Sequence, residues 1–359
     1  MSVEPCCLAT AIGSLPHKDA KQAVQVVLRS IPNAPIWPQL PANGLNEQME
    51  IQYSEGIPRV VIDREKGRMY FDTTGDTSAD LAEFYEKYCA EDFEAFRITP
   101  EFSKGIYALE EALKAAGGTR PFVKVQTTGP LSVGLSIVDE KKRAIFYNPE
   151  FVDVVVKAMA MKCRWQIQKF KPYAQNIICF VDEPILSAFG SSTYVSVTRD
   201  DTVAKLGEVI EAVHAEGALA GVHCCGNTEW PILIDANVDI INFDAFDYGH
   251  TILLYPEQMK TYLKAGKCLA FGIVPTNSAK IQAATVDSLK AKFCELVGDL
   301  AKATGVDTQL ILRQAFVTPS CGTGSLPVSD AELVFKTLQE LSTRLRQEVA
   351  APALAGSKA

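Results

Sequence analysis

The chain has 359 residues, of which 47% are hydrophobic and 22% are charged, and its formal net charge is −8. This composition is typical of a globular protein, and it disfavours a nucleic-acid partner, because phosphate binding requires clustered lysine and arginine. No run of about 18 apolar residues is present and residues 1–5 lack the features of a signal peptide. We therefore expect a cytoplasmic protein without a membrane partner that acts on a small molecule.

Apolar runs alternate with helical periodicities from the start of the chain. Strands are predicted for residues 7–14, 36–40, 122–126, 177–181, 219–222, 239–243, 268–273 and 315–317. Asp19 is predicted to cap a first helix. Further helices are predicted for residues 78–96, 100–116, 150–170, 202–214, 256–265, 286–304 and 330–346.

Eight strands that alternate with helices predict an α/β fold, a single (β/α)₈ TIM barrel over residues 1–348. An open doubly wound sheet is the alternative. Residues 60–62 and 69–71 predict a β-hairpin which, with helices, forms an insertion between the second and third strands. Pro38 is awkward inside the second strand, because proline has no N–H to donate. Residues 349–359 are predicted to be a disordered tail.

The predicted strand 219–222 ends in His223, Cys224 and Cys225. Because side chains alternate along a strand, His223 and Cys225 share one face and Cys224 points to the other. An imidazole beside a thiolate suits zinc, which takes nitrogen and sulfur ligands. The alternative is a pair of free buried cysteines next to a histidine whose hydrogen bonds are satisfied. Ten cysteines scattered through the chain without a close pattern favour reduced thiols over a disulfide framework.

Reactive residues also follow other predicted strands, at the ends where barrel enzymes carry their sites. These strand ends are Ile12-Gly13-Ser14, Asp182-Glu183-Pro184, His223-Cys224-Cys225, Asp244 and Pro319-Ser320-Cys321-Gly322. We predict a zinc site formed by His223, Cys225 and Cys321, with Asp244 as the fourth ligand or a nearby anion.

Such a donor set indicates alkyl transfer to sulfur. Thiolate ligands make the metal a poor activator of water, but they suit it to holding a substrate thiol as the nucleophilic thiolate. Asp182 and Glu183 are predicted as the catalytic acid–base groups, and Asp182 also as the acceptor for a substrate ammonium group. The alternative is a buried aspartate that caps the next loop.

These residues resemble the motifs of the cobalamin-independent methionine synthases and of the short single-barrel proteins related to them, over nearly the whole chain. The similar motifs are I-G-S-L-P at residues 12–16, D-E-P at 182–184, H-x-C at 223–225 and P-x-C-G at 319–322. The resemblance implies that Ile12 and Ser14 contact homocysteine and that Asp182 binds its amino group. It also implies that the H-x-C pair and Cys321 ligate zinc.

The chain departs from that family in two respects. Asp244 stands where the family has a zinc-ligating glutamate, which is one methylene longer. The second, amino-terminal barrel that helps to bind polyglutamyl folate has no counterpart, and neither has a Ser-Arg-Cys stretch near the pterin. Residues 223–227 (H-C-C-G-N) equally resemble the zinc motif of the methylcobalamin:coenzyme M methyltransferases, which have the uroporphyrinogen decarboxylase type of barrel.

Together these patterns predict a zinc-dependent methyltransferase that forms methionine from homocysteine. We expect the methyl donor to be a methylcorrinoid, free or held by a corrinoid protein, rather than methyltetrahydrofolate. Two alternatives remain open. One is a corrinoid-dependent enzyme of the same fold that acts on another thiol such as coenzyme M. The other is a non-catalytic barrel in which zinc only holds the rim together.

Overall fold

A computed structural model of the chain describes residues 3–190 and 196–350. Its strands are β1 (Leu8–Ala9), β2 (Val60–Asp63), β3 (Arg68–Phe71), β4 (Arg120–Thr128), β5 (Val138–Asp139), β6 (Ala174–Asp182), β7 (Leu219–Cys224), β8 (Ile240–Phe243), β9 (Cys268–Val274) and β10 (Ala315–Pro319). Its α-helices are α1 (Ala20–Ser30), α2 (Met49–Gln52), α3 (Ser78–Cys89), α4 (Lys104–Ala116), α5 (Pro130–Ser136), α6 (Pro149–Phe170), α7 (Arg199–Ala215), α8 (Pro231–Asp235), α9 (Pro256–Lys264), α10 (Ser278–Ala283), α11 (Val286–Thr304), α12 (Thr308–Arg313) and α13 (Val328–Ala350).

Seven of these strands form one curled parallel sheet in the order β1-β10-β9-β8-β7-β6-β4. Helices connect the parallel strands, so the fold is a mixed α/β fold of the TIM-like kind. The hairpin strands β2 and β3 are antiparallel, and Val60 is paired with Phe71 and Asp63 with Arg68. Strand β3 also pairs with β5, so these three strands form a separate small sheet. No helix in the described part of the chain is long and apolar enough to cross a membrane.

The prediction of a strand at residues 36–40 is wrong. This segment makes isolated parallel bridges between the two edges of the sheet, Ile36 with Lys124 of β4 and Gln39 with Ser14 beyond β1. The Gln39 carbonyl accepts a hydrogen bond from the Leu15 N–H (2.8 Å), and the Gln39 N–H donates one to the Gly13 carbonyl (3.0 Å). Pro38 lies between the two bridges and has no N–H, so a continuous ladder cannot form. The first strand is likewise shorter than predicted.

Large apolar side chains fill the inside of the curled sheet. The inner cluster consists of Leu8, Ala34, Phe122, Ile178, Phe180, Leu219, Ile240, Cys268, Ala270 and Phe316. Gly221 lies on the same inner face, and a Cβ there would come within 2.3 Å of the Phe180 ring. Glycine at this position of β7 therefore makes room for the aromatic ring of the neighbouring strand. A second, larger core packs the helices against the outside of the sheet.

Several predicted helices have different bounds in the structure. The predicted helix 78–96 is divided, because α3 ends at Cys89 and Glu91 has a positive φ of 51°. The predicted helix 100–116 begins only at Lys104, where the Ser103 hydroxyl caps it by accepting the Ile106 N–H. The last helix continues to Ala350, which includes the first two residues of the predicted tail. Residues 351–359 lie outside the described residues.

Candidate active site and metal centre

Three side chains that can ligate a metal lie together at the carboxyl edge of the sheet. His223 belongs to β7, Cys225 follows β7 and Cys321 follows β10. The imidazole nitrogen and the two sulfur atoms all lie within 4.8 Å of one another. Because parallel strands end at the same edge, residues almost a hundred positions apart in the sequence meet here. The predicted zinc trio therefore forms one cluster.

Hydrogen bonds fix the tautomer of His223, which is only 3% exposed. Its Nδ1 lies 2.6 Å from Oδ1 of Asn242, and Asn242 Nδ2 donates to Ala270 O (2.8 Å) and Thr318 Oγ1 (2.9 Å). Since Nδ2 faces two acceptors, Oδ1 must accept from Nδ1–H of the imidazole. Nε2 of His223 is left without a hydrogen-bond partner. A buried ring nitrogen with a free lone pair near two thiols is suited to a metal.

The two thiols of the cluster differ in acidity. The proximity of Cys321 and of the His223 imidazole lowers the pKa of Cys225, and this outweighs the effect of burial. The proximity of Cys225, together with burial, raises the pKa of Cys321. Burial lowers the pKa of His223, but Cys225 and Asp182 outweigh it, and the pKa is raised. Cys225 is therefore the first thiol of the pair to become a thiolate, the form that binds metal.

Asp182 ends β6 and is paired in register with His223 of β7. It is 6% exposed, it lines the same cavity as the cluster, and its Oδ1 has no hydrogen-bond partner. Burial raises the pKa of Asp182, and the positive charge of Lys124 partly opposes this. An unpaired buried carboxylate oxygen in a cavity is suited to a cationic group of a ligand.

Lys124 is a buried cation beneath the site that the sequence analysis did not identify. Its Nζ donates to Ile12 O and to Gln126 Oε1 (3.3 Å), and it lies 4.5 Å from the centre of the Phe180 ring. Burial lowers the pKa of Lys124 to about 8, while Asp182 acts in the opposite direction. The lysine therefore ties the Ile12 backbone to β4 and supplies a counter-charge for Asp182. The available signal was a lysine between Val123 and Val125 in a buried strand.

Glu183 is turned away from the cavity, although it follows Asp182 directly. Its carboxylate accepts from the N–H groups of Leu131 (2.8 Å) and Ser132 (2.8 Å) and from the Ser132 hydroxyl (2.6 Å), in the first turn of α5. A Cβ at Gly129 would lie 2.0 Å from this carboxyl group. Burial raises the pKa of Glu183 to about 7. The structure therefore gives no geometric support to a catalytic role for Glu183.

Asp244 lies close to the cluster without belonging to it. It follows β8, is 7% exposed, and its Oδ1 accepts from the Asp247 N–H at 2.9 Å. The group of ligand atoms within 4.8 Å of one another contains His223, Cys225 and Cys321 but not Asp244. Burial raises the pKa of Asp244 to about 6. Asp244 was predicted either as a direct zinc ligand or as a nearby anion, and its position agrees better with the second role.

The loop that carries Ser14 is held against the loop that carries Cys321. The Ser14 carbonyl accepts from the backbone N–H and the hydroxyl of Thr323, both at 2.9 Å, and its Oγ accepts from the Gly324 N–H at 3.2 Å. A Cβ at Gly322 would lie 2.1 Å from Ser14 Oγ, so glycine allows this close approach. Ser14, one of the predicted substrate residues, is therefore held next to the loop of the last predicted zinc ligand.

One cavity of about 480 Å³ contains the site, a size usual for small-molecule sites. One wall carries the predicted residues Ile12, Ser14, Asp182, His223, Cys225 and Cys321. The other wall comes from the segment before the hairpin and was not predicted: Gln39, Pro41, Glu47, Gln48 and Met49. None of the described residues that line the cavity is lysine or arginine. The second wall consists of short helical turns and the segments between them, which are too short to show a periodicity in the sequence.

No protein-family model matches the chain, and no curated protein matches it in sequence. Among the solved structures that are similar in fold are two enzymes. A methyltransferase from Methanosarcina mazei is 14% identical with a TM-score of 0.53, over 95% of this chain and 94% of that one. A B12-independent methionine synthase from Shewanella sp. W3-18-1, in complex with selenomethionine, is 14% identical with a TM-score of 0.53, over 97% of this chain and 96% of that one. At this identity the likeness shows a common fold.

Proposed function

We propose that this protein is a zinc-dependent methyltransferase that transfers a methyl group to the thiol of homocysteine and forms methionine. The observation that carries the proposal is that one cavity contains both the cluster of His223, Cys225 and Cys321 and the unpaired carboxylate oxygen of Asp182. A metal held by the cluster would bind the thiol at one end of homocysteine, and Asp182 would accept hydrogen bonds from the ammonium group at the other end. The shared fold with a B12-independent methionine synthase agrees with the proposal.

The residues present fit zinc. His223 Nε2 and the sulfur atoms of Cys225 and Cys321 would hold it, and three protein ligands leave a fourth position open, as in catalytic zinc sites. Bound there, zinc would supply a Lewis acid that favours the deprotonated form of a substrate thiol.

Side chains of this protein orient the substrate for transfer. Asp182 Oδ1 accepts hydrogen bonds from the ammonium group, and Ile12 and Ser14 bound the cavity beside the cluster. The burial of Asp182 and His223 keeps bulk water away from these two side chains, which strengthens their electrostatic interactions with a ligand. As the new sulfur–carbon bond forms, the bond between the methyl group and its donor breaks, and its electron pair stays on the donor.

We favour a methylcorrinoid, free or held by a corrinoid protein, over methyltetrahydrofolate as the donor. Cobalt can leave the methyl group without being protonated, whereas the nitrogen of methyltetrahydrofolate must be protonated by an acid before it can leave. Glu183 is bound to α5, and Asp182 is assigned to the substrate ammonium, so neither is placed to protonate a leaving nitrogen. This argument concerns the donor alone and leaves the acceptor unchanged.

Coenzyme M fits the cavity less well than homocysteine does. Its sulfonate is an anion, whereas the described lining of the cavity includes the carboxyl groups of Asp182 and Glu47 and no basic side chain other than His223. This charge balance favours a thiol that carries an ammonium group. A non-catalytic zinc barrel would account for the cluster but for neither the cavity nor the unpaired oxygen of Asp182.

The proposal is tested by measuring zinc per chain and methionine formed from homocysteine with methylcobalamin or with methyltetrahydrofolate, mono- and polyglutamylated. We expect about one zinc per chain, and Cys225→Ser and Cys321→Ser should each lose most of it together with activity. Cys224→Ser is the matched control, because this thiol is adjacent but buried on the other face, 3.7 Å from Gly226 O. Its zinc content and activity should stay near those of the wild type.

Each result has a distinct meaning. Unchanged zinc in both cysteine variants contradicts the metal site. Formation of methionine with methyltetrahydrofolate but not with methylcobalamin contradicts the proposed corrinoid donor and leaves homocysteine as the acceptor. Zinc-loaded protein that makes no methionine from any of these donors contradicts the methyltransferase and favours a non-catalytic barrel.

A further inference from the structure

Glu47 places a buried carboxyl group in the second wall of the cavity. It is 3% exposed and lines the cavity, and its Oε2 has no hydrogen-bond partner. Its other oxygen, Oε1, lies 3.4 Å from Nδ2 of Asn43, at the long end of the range for a hydrogen bond. Nothing in the sequence motifs pointed to this residue.

The cavity concentrates unpaired polar atoms. Of the buried side-chain nitrogen and oxygen atoms without a partner in the described residues, three line this cavity: His223 Nε2, Asp182 Oδ1 and Glu47 Oε2. Leaving such a group unpaired costs about 1–3 kcal/mol, so each is expected to find a partner in the working protein. Under the proposed function the first faces the metal and the second the substrate ammonium. With the ammonium assigned to Asp182, the third has no assigned partner.

Side chains of the same wall do not supply the missing donor. Nε2 of Gln39 already donates to Gln52 Oε1 (3.0 Å) and to Tyr53 OH (3.2 Å). Nε2 of Gln48 donates to the Pro41 carbonyl at 3.1 Å. The Gln39 and Gln48 amides are therefore used within the protein, and the N–H groups that act on the Glu47 carboxyl, those of Asn43 and of the Lys104 and Leu40 backbone, leave Oε2 unpaired. A ligand that occupies the cavity must bring the donor to Glu47.

The surroundings indicate an uncharged donor. Pro41 and Met49 make this wall partly apolar. Burial raises the pKa of Glu47, and this outweighs the lowering by the Lys104 backbone and by Asn43. A buried carboxyl group next to apolar side chains suits an uncharged N–H group of an amide or an aromatic amine, because pairing with such a donor does not require a second charge to be buried.

We propose that Glu47 is a binding residue for the methyl donor, and that its Oε2 accepts a hydrogen bond from an uncharged N–H group of that donor. This inference rests on the proposed function, because it needs a second substrate beside the thiol. Homocysteine fills only part of a cavity of about 480 Å³, and the wall formed by Gln39, Pro41, Gln48 and Met49 bounds the rest. Carboxamide side chains of a corrinoid and the amino edge of a pterin share the required chemistry.

The test compares binding of the two donors with binding of the thiol. Zinc-loaded wild type, Glu47→Gln and Glu47→Leu are titrated by calorimetry with methylcobalamin, with methyltetrahydrofolate and, separately, with homocysteine. We expect Glu47→Leu to weaken binding of one donor about tenfold or more, because it removes the acceptor and leaves the ligand N–H unpaired. Glu47→Gln has the same shape and keeps an acceptor oxygen, so it controls for packing and should weaken binding of the same donor less than Glu47→Leu does. Homocysteine affinity and zinc content should change less than twofold.

Glu50→Gln is the matched control, because Glu50 belongs to the same segment but does not line the cavity. An effect on methylcobalamin alone assigns the subsite to a corrinoid amide, and an effect on the folate alone assigns it to a pterin edge. Unchanged donor affinity in both Glu47 variants overturns the inference, as does an equal loss of homocysteine affinity or a wild type that binds neither donor. If the wild type makes methionine and the Glu47 variants bind donors normally, only the role of Glu47 is rejected and the proposed function stands.

Discussion

Nδ1 of His223 and Oδ1 of Asn242 lie 2.6 Å apart, and this contact decides which imidazole nitrogen faces the two thiols. The two residues are register partners in β7 and β8, and Asn242 is in turn the register partner of Ala270 in β9. The orientation of the ring is therefore set by a row of residues across three strands. A site built on paired strands holds its ligands more rigidly than one built on loops.

Replacement of Asn242 by alanine should weaken zinc binding by about 10- to 100-fold, the usual effect of losing a residue that orients a metal-binding histidine. The imidazole would lose the acceptor for Nδ1–H and with it a fixed orientation. Competition with a chromogenic chelator measures the affinity. Thr318→Val is the control, because it removes one acceptor of Asn242 Nδ2 and leaves Ala270 O in place. Equal zinc affinity in Asn242→Ala and wild type would show that the contact does not support the metal.

Asp182→Asn should weaken homocysteine binding while the protein keeps its zinc. The substitution removes the charge from a hydrogen bond to the ammonium group, at a cost of about 1.5–3 kcal/mol, or roughly ten- to a hundredfold in affinity. Calorimetry of the zinc-loaded proteins measures this change. Equal affinity in the two proteins would assign Asp182 to structure.

Glu183→Gln provides the contrast, because the two carboxyl groups are adjacent in sequence but face different surroundings. Glu183 binds the first turn of α5, so its substitution should lower the free energy of unfolding by about 1 kcal/mol and leave homocysteine affinity unchanged. A loss of affinity in Glu183→Gln without loss of stability would restore the predicted catalytic role of this residue.

The sequence predicted which strand ends carry the site, because apolar runs of the right length mark the buried parallel strands β4, β6, β7, β9 and β10. Alternation along β7 also placed His223 and Cys225 on one face. The segment at 36–40 has a similar apolar content, but it forms only isolated bridges. Hydropathy alone could not distinguish it, and Pro38 was the one local signal against a strand.

Side chains that depend on tertiary contacts were harder to predict. The sequence predicts a catalytic Glu183 beside Asp182, yet the direction of the Glu183 side chain is decided by the N–H groups of α5, a short helix that the sequence pattern does not predict. Asn242 and Glu47 stand in no recognisable motif. Their roles follow from the neighbours that the fold supplies, Ala270 and Thr318 for the first and the cavity for the second. Sequence spacing does not encode such neighbours.

Stability at low pH should depend on Asp239, which directly precedes β8 at the amino ends of the strands, away from the cavity. Its carboxylate binds His214 Nε2 (2.7 Å), Lys267 Nζ (2.6 Å) and the Ala220 N–H (2.9 Å). Burial raises the pKa of Asp239, but these three partners outweigh it and hold the pKa at about 2. The carboxyl group is thus more acidic in the folded chain than in the unfolded one. The unfolded chain therefore binds the proton more tightly, and stability falls as the pH falls.

Asp239→Asn should accordingly lower the free energy of unfolding at pH 7 by about 2 kcal/mol. This difference from the wild type should persist down to about pH 4 and disappear as the pH falls further to about 2, because the wild-type carboxylate is then protonated in both states. Urea unfolding at pH 7, 4 and 2.5 measures both proteins, and Asp299→Asn, at an exposed position of α11, should match the wild type at every pH. A difference between Asp239→Asn and wild type that stays constant over this range would mean that packing, and not the charge of Asp239, stabilises this edge of the sheet.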